Sequence, residues 1–220
     1  MQPYEYIIAV DFEATCWENA APPRWRQCEI IEFSAVLANL KTGKVEAEFQ
    51  KNIMPIESPK LSEHCIKMTG ITQKTVDNGI PLQTALIMFQ EWLRKELRMR
   101  NLVLPKMSKD NLTGNVVFVT WRDFETFLSI ECHRKNLKRA PFFNQWIDIK
   151  TIYRQWYKII PKSFIIALTN AGLSFEGSLQ SGIDEAKNLA ALTHKMVSEG
   201  AKLQSTSDLN LLQQNFNFVL

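Results

Sequence analysis

The chain has 220 residues, 45% of them hydrophobic, and a formal net charge of +3 at pH 7, which suits one large domain and excludes a largely disordered protein. The longest apolar runs are far shorter than the ~20 residues of a membrane span, no secretion signal precedes the first predicted strand, and neither cysteine nor histidine spacing fits a zinc finger. We expect a cytoplasmic or nuclear protein without membrane association, whose mild positive charge is compatible with a polyanionic partner but does not require one.

The first hundred residues predict three strands followed by helices. YEYIIAVDF has the continuous apolar run of a strand that is covered on both faces. EIIEFSAVLANL and VEAEFQKNIM, joined by the turn residues KTGK, predict a β-hairpin. Helical patterns follow in LSEHCIKMTG, ITQKTVDNG and PLQTALIMFQEWLRKELRMR.

The second half of the chain alternates strand and helix patterns. Residues 101–115 are rich in turn formers and predict a surface insertion. VVFVTW and FFNQWIDIK then predict strands; RDFETFLSIECHRKNL, IKTIYRQWY, SFIIALTNAG and SGIDEAKNLAALTHKMVSEG predict helices, the last ending at Gly200. This alternation indicates an α/β sandwich around a mixed sheet. We expect one domain over residues 1–204, and a tail over residues 205–220 that forms a terminal strand or is disordered.

Two acids follow directly on the first predicted strand. Asp11 and Glu13 are two residues apart, so they point to the same side of the strand, about 7 Å apart. Such a pair is usually two solvated acids at a strand end. Here the acids continue a buried run, and ligands of α/β proteins lie at strand ends. Because Mg²⁺ prefers oxygen ligands, a metal site is plausible, although two acids are too few to hold it.

Further carboxylates occur later in the chain. Asp123 follows the VVFVTW strand where a helix begins, and alone it would be interpreted as a helix N-cap or first-turn acid. Asp184 and Glu185 are adjacent near the start of the last long helix, where either could be a first-turn acid. These positions supply the missing third and fourth ligands if the fold brings them to Asp11 and Glu13.

Six motifs in order resemble those of the DEDDh 3′-to-5′ exonucleases, and in particular the enhancer-of-RNAi group that includes the histone-mRNA 3′ exonuclease. They are DFEATCW, EIIEF, the Met-Thr-Gly-Ile of HCIKMTGI, the Trp-Arg-Asp-Phe of VTWRDFETFL, NQWIDIKTIY and GSLQSGIDEAKN. Each is weak alone, but the ordered set is specific and covers about residues 5 to 200. The resemblance implies a ribonuclease-H-like fold with a mixed five-stranded sheet flanked by helices.

The resemblance also implies a metal centre. Two Mg²⁺ or Mn²⁺ ions would be held by Asp11, Glu13, Asp123 and the acid of the third motif. One ion would activate the attacking water, and the other would stabilise the leaving 3′ oxygen. The terminal nucleotide would lie against residues of the first motif and of the Met-Thr-Gly motif, namely Phe12, Ala14, Thr15 and Met68. Phe12 and Met68 could equally be core residues.

The third motif departs from the family pattern, in which a histidine precedes the metal-binding aspartate by five residues. This chain has Gln180 at the histidine position and Glu185 at the aspartate position, unless a slip of one residue gives that role to Asp184. Glutamate keeps the carboxylate on a longer stem. Glutamine can orient a water but cannot accept its proton, and loss of a general base costs ~10²–10⁴ in rate.

Two functions therefore remain open. The first is a metal-dependent 3′-to-5′ exonuclease that acts on RNA, with single-stranded DNA as a further candidate, and whose catalysis is weakened at Gln180. The second is an inactive pseudo-exonuclease that binds nucleic acid or protein. The basic runs at residues 94–100 and 133–139 could contact phosphates if they flank the acidic pocket. Of the histidines, His194 is predicted to be a surface residue that cannot replace the missing base.

Overall fold

The computed structural model describes residues 3–18, 27–105, 114–121, 125–204 and 206–208. Its strands are β1 (Tyr6–Ala14), β2 (Ile30–Asn39), β3 (Val45–Asn52), β4 (Val116–Thr120), β5 (Gln145–Asp148) and β6 (Ser207–Asp208). Its α-helices are α1 (Glu63–Thr69), α2 (Gln73–Asp77), α3 (Leu82–Arg100), α4 (Ile130–Arg134), α5 (Ile149–Tyr157), α6 (Phe164–Asn170) and α7 (Gly182–Ser198). A π-helical turn, Glu125–Ser129, leads into α4, and a 3₁₀ turn, Pro141–Asn144, leads into β5.

The strands form one mixed sheet in the order β3-β2-β1-β4-β5-β6. β1, β4 and β5 are parallel, whereas β2, β3 and β6 run antiparallel to their neighbours. The predicted hairpin and the mixed sheet of five strands are confirmed. The two-residue β6 extends the sheet at the β5 edge, which agrees with a terminal strand as one of the alternatives for the tail.

Alternation along β1 decides which residues face which helices. Ile8, Val10 and Phe12 pack with α3 on one side of the sheet. Ile7 and Ala9 pack with α7 on the other side. Asp11 and Glu13 continue the second series, because side chains two apart on a strand share a face. The two acids therefore lie on the face that α7 covers.

The predicted surface insertion at residues 101–115 is anchored in the core at its first end. Leu102 and Leu104 are buried and pack with the α3 side of the sheet. The backbone amide of Asn115 donates to the Val103 carbonyl, and residues 106–113 lie outside the described residues. Within the described ranges, no helix is both long enough and apolar enough to cross a membrane.

Candidate active site

Three of the predicted carboxylates meet at one place. Asp11, Glu13 and Glu185 each offer an oxygen, and these oxygens all lie within 4.8 Å of one another. Asp11 and Glu13 are only 7% and 8% exposed, and Glu185 is half-buried. Asp11 and Glu13 lie near the C-terminal end of β1, and Glu185 lies in the first turn of α7. The fold thus joins residues that are more than 170 positions apart in the chain.

The structure distinguishes the two adjacent acids of the third motif. Glu185 faces Asp11 and Glu13, whereas Asp184 turns to the preceding loop, where its Oδ2 accepts a hydrogen bond of 3.0 Å from the Ser178 amide. Ser181 caps the helix by accepting a hydrogen bond from the Asp184 amide, which fixes where α7 begins. The unshifted alignment, in which Glu185 lies with Asp11 and Glu13, is therefore the one found in the structure.

A fourth carboxylate, Glu32, supports the start of α7, and the sequence analysis did not identify it. Glu32 lies directly opposite Glu13 in the antiparallel pair of β1 and β2. Its Oε2 accepts a 3.2 Å hydrogen bond from the Gly182 amide, and its Oε1 accepts one from Gln50. Burial raises the pKa of Glu32, although these two hydrogen bonds partly offset the effect. The EIIEF motif contained this residue, and the register between β1 and β2 is what sets it beside Glu13.

Gly182 allows α7 to approach the strands this closely. A β-carbon added there would lie 2.6 Å from Glu32 Oε2, 3.1 Å from Ser34 Oγ and 3.3 Å from Asp11 Oδ2. The first distance is too short for a non-bonded contact, so the helix or the carboxylate would have to move. The position of Glu185, one turn further along α7, depends on this contact.

We expect Gly182→Ala to weaken Mn²⁺ binding by at least ~10-fold, because the shift of α7 moves Glu185 away from Asp11, and to cost about 1–3 kcal/mol of stability through overpacking. Calorimetric titration with Mn²⁺ measures the affinity, and urea unfolding measures the stability. The control is Gly172→Ala, which strains the backbone at a φ of 76° but meets nothing within 4 Å. An equal loss of Mn²⁺ affinity in both variants would show that general destabilisation is responsible.

Gln180 is held at the end of α1. Its Nε2 donates a 2.7 Å hydrogen bond to the Lys67 carbonyl. Gly70, the left-handed C-cap of α1 with a φ of 69°, packs against it, since a β-carbon on Gly70 would lie 2.8 Å from Gln180 Cβ. The backbone at the end of α1 thus orients the Gln180 side chain. An amide in this position carries no basic nitrogen.

The remaining predicted residues differ in their surroundings. Asp123 lies outside the described residues, so its place relative to the carboxylates stays a prediction. Phe12 is a core residue whose ring packs at a tilt against Phe33, with ring centroids 4.7 Å apart. Met68 is 59% exposed, which rules out the core interpretation for it. Ala14 and Thr15 are buried at the end of β1.

A buried ion network lies behind Thr15. Thr15 and Glu29 exchange hydrogen bonds through the Thr15 amide and hydroxyl, and the Glu29 carboxylate accepts backbone amides from residues 56–58. Lys135 Nζ bridges Glu29 at 2.6 Å and Glu131 at 2.5 Å. Burial disfavours ionisation of Glu29, but Lys135 and the backbone amides outweigh it and lower its pKa, whereas burial raises the pKa of Glu131. The network fastens α4 to the end of β1.

We expect Lys135→Met to destabilise the fold by ~3–5 kcal/mol at pH 7, because it leaves buried carboxylates without their cation. In the folded variant the pKa of Glu29, lowered in the wild type, would rise above its unfolded value, and the pKa of Glu131, already raised, would rise further. The variant should therefore recover stability relative to the wild type as the pH falls from 7 to 5. Urea unfolding at the two pH values measures this, with the exposed Lys138→Met as the control. A loss that is equal at both pH values would contradict the charge argument.

The expectation for His194 is wrong, whereas phosphate contacts of the two basic runs stay a prediction. His194 is half-buried rather than a surface residue, and its Nδ1 lies 2.9 Å from the Leu40 carbonyl oxygen. Some residues of the two basic runs form ion pairs with other residues of the chain. Arg100 pairs with Glu46 and Glu96, Arg134 with Glu57, and Lys135 is buried. Glu96 and Glu131 lie one helical turn before Arg100 and Lys135. The other partners, Glu46, Glu57 and Glu29, come from distant segments, which the run pattern could not reveal.

The donor set fits hard divalent cations. All three ligand groups are carboxylates, and the mutual repulsion of their charges at this distance is relieved when they share a cation. Ser34 Oγ, fully buried beside Gly182, makes no hydrogen bond to any residue in the described part of the chain. The pocket is therefore polar as well as acidic. Asp11, Glu13 and Glu185 could hold Mg²⁺ or Mn²⁺.

Comparison with known proteins gives a consistent picture. The exonuclease family model matches residues 8–193. The 3′-5′ exonuclease Snipper of Drosophila melanogaster is 60% identical, over 100% of this chain and 79% of that protein. The human ERI1 exoribonuclease 2 is 38% identical over 99% of this chain. This chain spans only 32% of the human protein.

The solved structures agree with the sequence relatives. The nuclease domain of 3′hExo, a DEDDh family member crystallised with rAMP, superimposes with a TM-score of 0.80 and 32% identity. The match covers 93% of this chain and 98% of that domain. The predicted ribonuclease-H-like exonuclease fold is thereby confirmed.

Proposed function

The chain belongs to the exonuclease family, and we propose that it is a divalent-metal-dependent 3′-to-5′ exonuclease that acts on RNA, with single-stranded DNA as a further candidate substrate. The observation that carries this proposal is the carboxylate group of Asp11, Glu13 and Glu185, whose oxygens lie within 4.8 Å of one another. Mg²⁺ and Mn²⁺ are the proposed cofactors, and Asp123 is the proposed fourth ligand.

The residues around the carboxylates have different proposed roles. Bound divalent ions would supply charge stabilisation at the scissile phosphate and activation of the attacking water. The backbone holds the carboxylates of Asp11 and Glu13 rigidly, because both residues belong to the central strand β1. This strand pairs with β4 up to Ala9 and with β2 along its whole length. Glu32 holds the start of α7 through the Gly182 amide, which orients Glu185. The exposed Met68 and the end of β1 at Ala14 and Thr15 are the proposed contacts of the terminal nucleotide, with Phe12 contributing through its backbone.

Catalysis is proposed to be weak compared with relatives that carry a histidine at the position of Gln180. The Gln180 amide can hold a water by a hydrogen bond but cannot take its proton. Loss of a positioned general base typically costs ~10²–10⁴ in rate. Glu185 adds a longer side chain where the family has an aspartate, which changes how the carboxylate approaches an ion.

The second candidate is a pseudo-exonuclease that retains the fold as a binding module for nucleic acid or protein. The observation in its favour is the same pair of departures, Gln180 and Glu185. The two candidates differ in a simple property, because a pseudo-exonuclease would bind RNA and metal without shortening the strand.

The experiment is digestion of single-stranded RNA labelled at the 5′ or the 3′ end, with Mn²⁺ and with EDTA. A 3′-to-5′ exonuclease shortens the 5′-labelled strand one nucleotide at a time and releases the 3′ label as a mononucleotide. Both events should stop in EDTA. Binding of RNA and Mn²⁺ without any shortening would favour the pseudo-exonuclease, and internal fragments would contradict an exonuclease.

A further inference from the structure

The segment from residue 149 to residue 175 contains no acidic residue and four basic ones, Lys150, Arg154, Lys158 and Lys162. Its formal charge of +4 exceeds the +3 of the whole chain. The sequence analysis missed it because its basic residues are spaced four apart rather than clustered. This spacing matters because residues four apart on a helix share one face.

The first three of these residues form what we call the α5 stripe: Lys150, Arg154 and Lys158. All three side chains are exposed, and none forms an ion pair within the described ranges. They differ in this from Arg100, Arg134 and Lys135, whose charges are neutralised internally. The stripe therefore presents uncompensated positive charge to solvent.

The acids nearest to the ends of α5 are already engaged. Asp148 caps the helix, with its oxygens accepting hydrogen bonds from the Lys150 amide and the Thr151 hydroxyl. Glu199 accepts hydrogen bonds from Tyr157 and Trp156 and pairs with Lys195. Glu199 is compensated by Lys195, whereas Asp148 keeps its negative charge beside Lys150. The three cations of the α5 stripe and this one acid leave a formal charge of +2 (three minus one).

The stripe borders a groove that also offers apolar surface. The groove has a volume of about 480 Å³ and is lined by Thr151, Arg154, Gln155, Lys158, Ile159 and Ile160. Ile159 and Ile160 are 49% and 68% exposed. The lining thus combines cationic side chains with apolar ones and includes no acid, which suits a ligand with regularly spaced negative charges and flat apolar faces.

The α5 stripe begins at the edge of the sheet that carries the carboxylates. α5 follows directly on β5, which is parallel to β4, as β4 is to β1, and the carboxyl ends of parallel strands lie at the same edge. Ile152 and Tyr153 pack in the same core as α7, so α5 lies on the α7 side of the sheet. Successive members of the stripe are ~6 Å apart along the helix axis, a scale comparable with successive phosphates of an extended single strand.

We infer that the α5 stripe is a second nucleic-acid contact, which binds phosphates of the strand upstream of the 3′ end held at the carboxylates. The inference rests on the function proposed above and adds a part to it: substrates long enough to reach α5 are bound more tightly than short ones. The interaction is mainly electrostatic, so its affinity falls as the salt concentration rises, because the release of counterions from the RNA on binding is then less favourable.

The test compares two single-stranded RNAs, a 4-mer and a 20-mer with the same 3′ sequence, by fluorescence anisotropy in Ca²⁺ at several salt concentrations. The variant is Lys150→Gln with Arg154→Gln. The matched control is Lys41→Gln with Lys44→Gln, which removes two exposed charges from the turn between β2 and β3, at the opposite edge of the sheet. Both variants lower the net charge equally.

We expect the stripe variant to bind the 20-mer ~5- to 20-fold more weakly, with the slope of log affinity against log salt reduced by about 1.4, which is ~0.7 for each lost phosphate contact. Binding of the 4-mer and both affinities of the control variant should not change. Equal losses in the control, an equal loss for the 4-mer, or no loss at all would overturn the inference.

Two further outcomes separate this inference from the proposed function. If the wild type cleaves neither RNA but the 20-mer still binds through the stripe, the proposed function fails and the second contact stands. If an oligo-glutamate peptide binds in a stripe-dependent way and the 20-mer does not, the groove receives an acidic protein segment and the inference is overturned.

Discussion

Replacement of Gln180 by histidine is expected to raise the rate of 3′-end cleavage by ~10²-fold or more, which corresponds to ~3 kcal/mol of activation free energy. The Gln180 amide already donates to the Lys67 carbonyl. A histidine could donate from Nδ1 to the same carbonyl and so keep Nε2 as the proton acceptor, since the hydrogen bond at one ring nitrogen sets the state of the other. Single-turnover cleavage of 5′-labelled RNA under saturating Mn²⁺ measures the rate.

The pH dependence provides the internal control for this prediction. The rate of the histidine variant should rise through a titration near pH 6.5, the ordinary pKa of histidine, whereas the wild type should lack that step. The variant Gln180→Asn, which keeps an amide, should cleave no faster than the wild type. If the wild type already cleaves as fast as the histidine variant, another group supplies the base.

Replacement of Glu185 by glutamine is expected to reduce Mn²⁺ affinity and any cleavage by at least ~10²-fold, because the neutral amide is a poorer ligand for a hard cation than a carboxylate. The neighbouring Asp184→Asn is the matched control. It removes one negative charge from the same helical turn, but its side chain faces the Ser178 amide rather than the carboxylate group. Calorimetry with Mn²⁺ and the RNA digestion measure both effects.

The two variants also test which acid belongs to the site. Asp184→Asn should keep Mn²⁺ affinity within ~2-fold of the wild type and lose at most ~1 kcal/mol of stability, as expected for a lost surface hydrogen bond. The opposite result, with Asp184→Asn abolishing binding and Glu185→Gln preserving it, would mean that the third motif is shifted by one residue from the arrangement in the structure.

Local patterns predicted most of the fold and the first part of the site. The apolar run before Asp11 and Glu13, the β-hairpin and the long helix at the third motif all follow from periodicity within one element. The ordered motifs then identified Glu185 as the partner acid. The strand and helix predictions needed only the information within single segments, and the prediction of Glu185 needed the order of the motifs along the chain.

The misjudged features depend on contacts between segments. Glu32 supports α7 only because the antiparallel register sets it opposite Glu13. Lys135 appeared in a basic run, but its ammonium group also pairs with Glu29, which lies 106 residues earlier in the chain. His194, expected on the surface, reaches the Leu40 carbonyl at the turn after β2. Contacts between residues of different segments cannot be predicted from the pattern within one segment.

The central claim is that Asp11, Glu13 and Glu185 hold divalent metal. The measurement that tests it most directly is a crystal structure of the protein soaked in Mn²⁺, with anomalous diffraction recorded at the manganese absorption edge. We expect an anomalous peak within bonding distance of oxygens from these three carboxylates. Anomalous density elsewhere, or none between these carboxylates at millimolar Mn²⁺, would contradict it.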